Sequence, residues 1–149
     1  MEHSKALELQ GVSCSYGSTK VLAGVDLQIR KGEFTSVVGL SGSGKTTLLK
    51  LIAGLIRPSS GAIRFFGTQV RVARRDLGFV FQEPSLLPWR TVCANVTLPA
   101  ELTGEDRHDA EEYAVELLRL VGLDAFRNAY PHQLSGGMRA LVGVCRALI

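Results

Sequence analysis

Residues Gly39-Leu40-Ser41-Gly42-Ser43-Gly44-Lys45-Thr46 fit the pattern G-x-x-x-x-G-K-[ST] at every position. No other feature constrains the fold as strongly, because the pattern needs a strand leading in, a tight loop and a helix leading out. The flanks offer both. Residues 34–38 are a more continuous apolar stretch than the alternating segments before them, and suit a buried central strand. Residues 45–53 read as a helix with Leu48, Leu49 and Ile52 on its inner face, ended by Gly54 and Pro58.

The residue types explain the chemistry. A triphosphate crowds several negative charges together, so its receptor needs many donors converging without side chains in the way. Glycines at 39, 42 and 44 let the backbone wrap round phosphates with its N–H groups inward. The following helix adds its unpaired N–H groups and the positive end of its dipole. Lys45 supplies a point charge for the outer phosphates, and the Thr46 hydroxyl is placed to ligate Mg²⁺. Hydrolysis also needs a carboxylate to position the metal, usually at the end of a short apolar strand. Neither Val25-Asp26 nor Leu123-Asp124 has that context.

Around the loop, Leu7 and Leu9, and later Val25, Leu27 and Ile29, alternate with polar residues as half-buried antiparallel strands do. Residues 59–61 read as a turn, 62–66 as a strand, and 77–81 as another strand ending at Gln82. Pro84, Pro88 and Trp89 mark an irregular loop. Thr103 with Asp106 reads as a capped helix start, followed by Ala110, Ala114, Leu117, Leu118 and Val121 at helical spacing, with Gly122 as the stop. Ser135 caps a last helix whose apolar face is Met138, Leu141, Val142, Cys145 and Leu148.

Composition narrows the partners. The 149 residues suffice for one domain, and a net charge of +3 is too mild to argue for nucleic acid or a membrane surface. Arg57, Arg64, Arg71, Arg74, Arg75 and Arg90 crowd the middle third and acids crowd residues 101–116, which reads as two solvated faces. Cys14, Cys93 and Cys145 are too widely spaced for a disulfide framework or zinc site, as in a reducing compartment. The three histidines form no metal-like cluster, and His132 reads as a solvated loop residue. No stretch is apolar for long enough to span a bilayer, so membrane association would come through a partner.

In their order and rough spacing these motifs resemble the nucleotide-binding domain of ATP-binding-cassette (ABC) transporters. Leu134-Ser135-Gly136-Gly137-Met138 is similar to the family signature, with Met where Gln is commonest. The resemblance implies an α/β phosphate-loop NTPase (ABC ATPase) fold with an N-terminal antiparallel β portion and a helical subdomain over about 92–128. It implies that Gly39, Leu40, Ser41, Gly42, Ser43, Gly44, Lys45, Thr46 and Thr47 hold the phosphates of ATP, with Thr46 and Gln82 on Mg²⁺. Tyr16 takes the place of the aromatic that stacks on adenine, and Gln82 that of the glutamine reaching the metal and the attacking water. Lys45 and Gln82 are thus the candidate catalytic residues.

Ser135, Gly136 and Gly137 would form a second phosphate receptor serving the ATP of another copy, which implies a head-to-tail dimer. A transmembrane permease at the cytoplasmic face of the plasma membrane is the further implied partner, contacted near residues 90–99. Gln82-Glu83-Pro84-Ser85-Leu86-Leu87-Pro88-Trp89, together with Met138, is similar to importers of nitrate, sulfonate and taurine. Two departures stand out. Arg139-Ala140-Leu141 breaks the glutamine-and-arginine-rich pattern that usually follows the signature. The strand bearing the magnesium aspartate and catalytic glutamate, and the later switch histidine, are absent from these residues. The fold is therefore expected to be incomplete at the C-terminus and inactive alone. Two other readings stand beside the ATPase of an importer: a binding-only fragment, and a soluble ABC protein of DNA repair or translation.

Overall fold

The computed structural model describes residues 5–74 and 77–149. Two expectations touch other positions, since Arg75 of the basic stretch and His3 lie outside the described residues. The chain divides into two compact units, Met1–Asp76 and Leu77–Ile149.

The first unit is a four-stranded antiparallel sheet of order β2-β1-β3-β4, built from β1 (Lys5–Tyr16), β2 (Thr19–Arg30), β3 (Ser60–Phe65) and β4 (Thr68–Gln69). Helix α1 (Lys45–Ile52) covers one face. The apolar alternation of β1 slips by one residue, from Leu7 and Leu9 to Val12 and Cys14, yet all four side chains are buried on the same core. A bulge absorbs the slip. Gly11 sits there at φ 57°, and its N–H donates to Asp26 Oδ1 at 2.7 Å. Asp26 is thereby given a structural task in the sheet.

Several expectations are corrected in this unit. Residues 34–38 form no strand, and Phe34 and Val38 are 94% and 90% exposed. An extended segment holds its place through ladder hydrogen bonds, and no strand among the described residues pairs with this one. In α1 the buried pair is Leu48 and Leu51, with Leu49 turned outward. β3 starts at Ser60, so the turn at 59–61 is shorter than expected.

The second unit is helical: α2 (Val92–Val96), α3 (Leu98–Thr103), α4 (Arg107–Leu120) and α5 (Gly136–Leu148), with single 3₁₀ turns at Asp124–Phe126 and Pro131–Gln133. The helices within 92–128 share one core with α5, since Val92, Val96, Ala114, Leu117 and Leu118 pack with Val142 and Cys145. Asp106 alone caps α4, accepting from the His108 and Asp109 amides at 2.8 and 3.2 Å. Thr103 ends α3, its hydroxyl donating within its own turn. Residues 77–81 are likewise no strand, again with no ladder partner among the described residues. On α5, Leu141 and Leu148 are exposed rather than on the buried face. The acids of residues 101–116 all face solvent, as the sequence suggested.

Candidate nucleotide-binding site

The glycine loop belongs to the first unit. Gly42 and Gly44 take φ of 80° and 93°, a region closed to most side chains. Gly44 is also the N-cap of α1, with no side-chain cap bond and no acid in the first turn. Within the loop the Ser43 N–H donates to the Leu40 carbonyl at 3.2 Å, and the first helical bond runs from the Leu48 N–H to Gly44 at 2.8 Å. The amides of Lys45, Thr46 and Thr47 therefore open the helix without an intrahelical acceptor. The Lys45 ammonium folds over the loop, donating to the carbonyls of Gly39 at 2.8 Å and Leu40 at 2.7 Å, with Ser43 Oγ at 3.5 Å. Ser41 and Thr46 are exposed and Thr47 half-buried.

These residues fit a polyphosphate. They present open amides, an ammonium group and hydroxyls, and the loop carries no acidic residue to repel an anion. Tyr16 ends β1 beside the turn at Gly17, with its ring half exposed and opposite Thr19. Thr46 is the hydroxyl suited to a magnesium ion. Asp26 is engaged with Gly11, whereas Asp124 lies 3.8 Å from Arg127 with its buried Oδ1 accepting no hydrogen bond.

The second unit carries the other predicted residues. Ser135 caps α5, its Oγ accepting from the Met138 N–H at 3.2 Å while its carbonyl accepts from the Arg139 N–H at 3.0 Å. The Arg139 guanidinium reaches back to the Leu134 carbonyl at 2.7 Å. Gly136 and Gly137 form the exposed first turn. Gln82 is exposed in the irregular stretch ahead of α2. His132 is exposed and stacks on Tyr130, with centroids 6.0 Å apart.

Sequence reasoning missed Asn95. It is fully buried, and its Nδ2 reaches the carbonyls of Leu87, Arg90 and Thr91 at 2.9–3.1 Å while Oδ1 accepts from the Leu87 N–H at 2.7 Å. A polar residue inside the apolar run Val92-Cys93-Ala94-Asn95-Val96 is the one signal that pointed to it. Nearby, a cavity of about 630 Å³ is lined by residues including Arg90, Cys93, Thr97, Glu101, Glu105 and Arg107. Arg90 clasps Glu101 through two hydrogen bonds of 2.7 and 2.8 Å, and this holds the Glu101 carboxyl below its usual range. Burial pushes the Cys93 thiol up, so it stays protonated at neutral pH.

A glycine loop opening one helix and a serine-glycine-glycine turn opening another are the marks of the phosphate-loop fold of the cassette type. The family model described as ABC transporter matches residues 22–149, and the chain belongs to that family. Among curated relatives it is 45% identical over 129 residues to the uncharacterized ABC transporter ATP-binding protein MJ0412 of Methanocaldococcus jannaschii, covering 87% of this chain and 48% of that protein. It is 47% identical over 134 residues to the taurine import ATP-binding protein TauB of Rhizobium johnstonii, covering 89% and 51%. The chain thus spans about half the length of these relatives. Among solved structures it matches the ATP-binding cassette MJ0796, a dimer in a post-hydrolysis state bound to ADP and Pi. The TM-score is 0.86 at 34% identity, over 95% of this chain and 68% of that one. No helix among the described residues is long and apolar enough to cross a membrane.

Proposed function

We propose that this chain holds Mg-ATP as part of the energy-coupling ATPase subunit of an ABC importer, peripheral to the cytoplasmic face of the plasma membrane. The observation that carries the reading is the glycine loop. Gly42 and Gly44 at positive φ leave the first amides of α1 open beneath the Lys45 ammonium. In this reading residues 39–47 bind the phosphates, Thr46 and Gln82 hold Mg²⁺, and Tyr16 stacks on the base. Magnesium, when bound, neutralises charge that develops on the transferred phosphoryl group.

Ser135, Gly136 and Gly137 would serve the nucleotide of a second copy in a head-to-tail dimer, a reading supported by the dimeric solved relative. The cavity beside Arg90 and the segment over residues 90–99 would receive the transmembrane permease, with Glu101 and Glu105 setting its polarity. Import of a small anion such as a sulfonate is supported by the proline-tryptophan loop ending at Trp89 and by the taurine importer among the relatives. Nucleotide binding without turnover by this stretch of chain is a second reading, favoured because no carboxylate follows an apolar strand in these residues and Asp26 is bound to the Gly11 amide.

Thermal unfolding with and without Mg-ATP tests the proposal. At nucleotide about a hundredfold above the dissociation constant, binding adds about 2.7 kcal/mol to the folded state. The wild-type midpoint should rise and that of Lys45→Ala should not. An unmoved wild-type midpoint in folded protein would sink the reading.

A further inference from the structure

Helix α5 does more than present the signature at its N-terminus. Its residues Arg139, Gly143, Arg146 and Ala147 fall at i, i+4, i+7 and i+8, one face of a helix. Along the C-terminal half of that face lies the stretch containing Gln82. A Cβ on Gly78 would collide with the Ala147 carbonyl, so the two backbones touch there. A Cβ on Gly143 would lie 3.7 Å from Pro84 and 3.8 Å from Val80. Beyond them Arg146 Nη1 donates to the Ser85 carbonyl at 2.8 Å, across sixty-one residues of sequence. A basic residue in the last turn of a helix commonly serves that helix's own carbonyls. This one reaches out to the loop instead, and no acidic side chain among the described residues pairs with it. Burial lowers its pKa, yet an arginine stays charged, which strengthens its single bond to a neutral carbonyl.

We propose that Arg146 is a positioning residue that ties the Gln82 loop to α5, so that a shift of the loop moves the signature turn at the other end of the helix. The helix is the lever. Its 13 residues span about 20 Å. At the signature end Ser135 is locked to it by the Met138 and Arg139 amides, and Leu134 by the Arg139 guanidinium. At the other end small residues let the loop lie close, and the one charged hydrogen bond stops it sliding along the helix. The inference rests on the proposed role of Gln82 in reporting the nucleotide.

Amide hydrogen exchange on the 149-residue chain, with and without Mg-ATP, tests it. In the wild type, nucleotide should slow exchange over residues 39–48 and, through the tether, over 134–142 by about fivefold, a modest coupling between sites. Arg146→Met should keep the effect at 39–48 and lose it at 134–142, and Arg146→Lys should restore part of it. Gln82→Ala, at an exposed position, should lose the effect at 134–142 and, through the proposed magnesium contact, weaken that at 39–48 as well. A merely structural Arg146 would speed exchange at 134–142 equally with and without nucleotide, leaving their ratio unmoved. That result overturns the proposal, as does a wild type protected at 39–48 but not at 134–142. No protection at 39–48 would overturn the nucleotide reading itself, and this proposal with it.

Discussion

Two helices of this chain begin at glycine-rich turns, and they begin differently. Helix α1 starts from Gly44 in the left-handed region, with no side chain bonded to its first amides. Helix α5 starts from Ser135 in an extended conformation, with the serine hydroxyl already accepting from the Met138 amide. Neither has an acid in its first turn, whereas α4 carries Asp109 there. An acid at that position is the ordinary way to favour a helix N-terminus. Its absence leaves both ends with positive potential for an anion. The difference is in self-sufficiency. The glycine loop keeps its donors open at a backbone cost, while the signature turn satisfies part of its own need and offers the remainder.

That contrast can be broken by substitution. Gly44→Ala forces a side chain to φ 93° and brings its Cβ to 2.9 Å from Leu22 Cδ2 and 3.3 Å from the Val21 carbonyl. It should destabilise the chain by about 1–3 kcal/mol in urea titration. Ser135→Ala removes the cap and should cost about 1 kcal/mol, while leaving any Mg-ATP shift of the single chain unchanged. Gly137→Ala should go the other way. Nothing lies within 4 Å of a Cβ there and its φ is not positive, so a gain of roughly 0.5 kcal/mol is expected. The same variant should weaken ATP-dependent association of two copies, measured by light scattering. A stabilised Gly137→Ala that dimerises normally would show that the bare backbone at 137 serves nothing.

The sequence made both turns legible because each depends on residue types with few substitutes, glycine at positive φ and serine at a cap. The outer half of β1 around Leu7 and Leu9, the half of β2 from Val25 to Ile29, and helices α4 and α5 were legible from period, the helices with the help of their caps. Residues 34–38 and 77–81 were not. An apolar run reads as a buried strand, but a strand is a property of two segments, and neither run has a ladder partner among the described residues. The inner face of α1 was misjudged because Leu48, Leu49, Leu51 and Ile52 are all apolar, so spacing does not choose between them. The bulge at Gly11 was invisible, since the one-residue slip in β1 looks like a break in the pattern rather than a kink that repairs it. Arg146 and Asn95 each interrupt an apolar segment, and their carbonyl partners lie where no periodicity reaches.

Asn95 has a consequence for how the second unit comes apart. One amide group serves Leu87, Arg90 and Thr91 together, so those three contacts are made or lost as a set. Once water reaches that side chain, its four bonds fail in the same event, and the loop over 87–91 is left to the Arg90–Glu101 pair and to the Val92 and Cys93 amides, which donate to Ala129 and Arg127. The segment is a latch with one inner pin and an outer one, since Arg146 still grips Ser85.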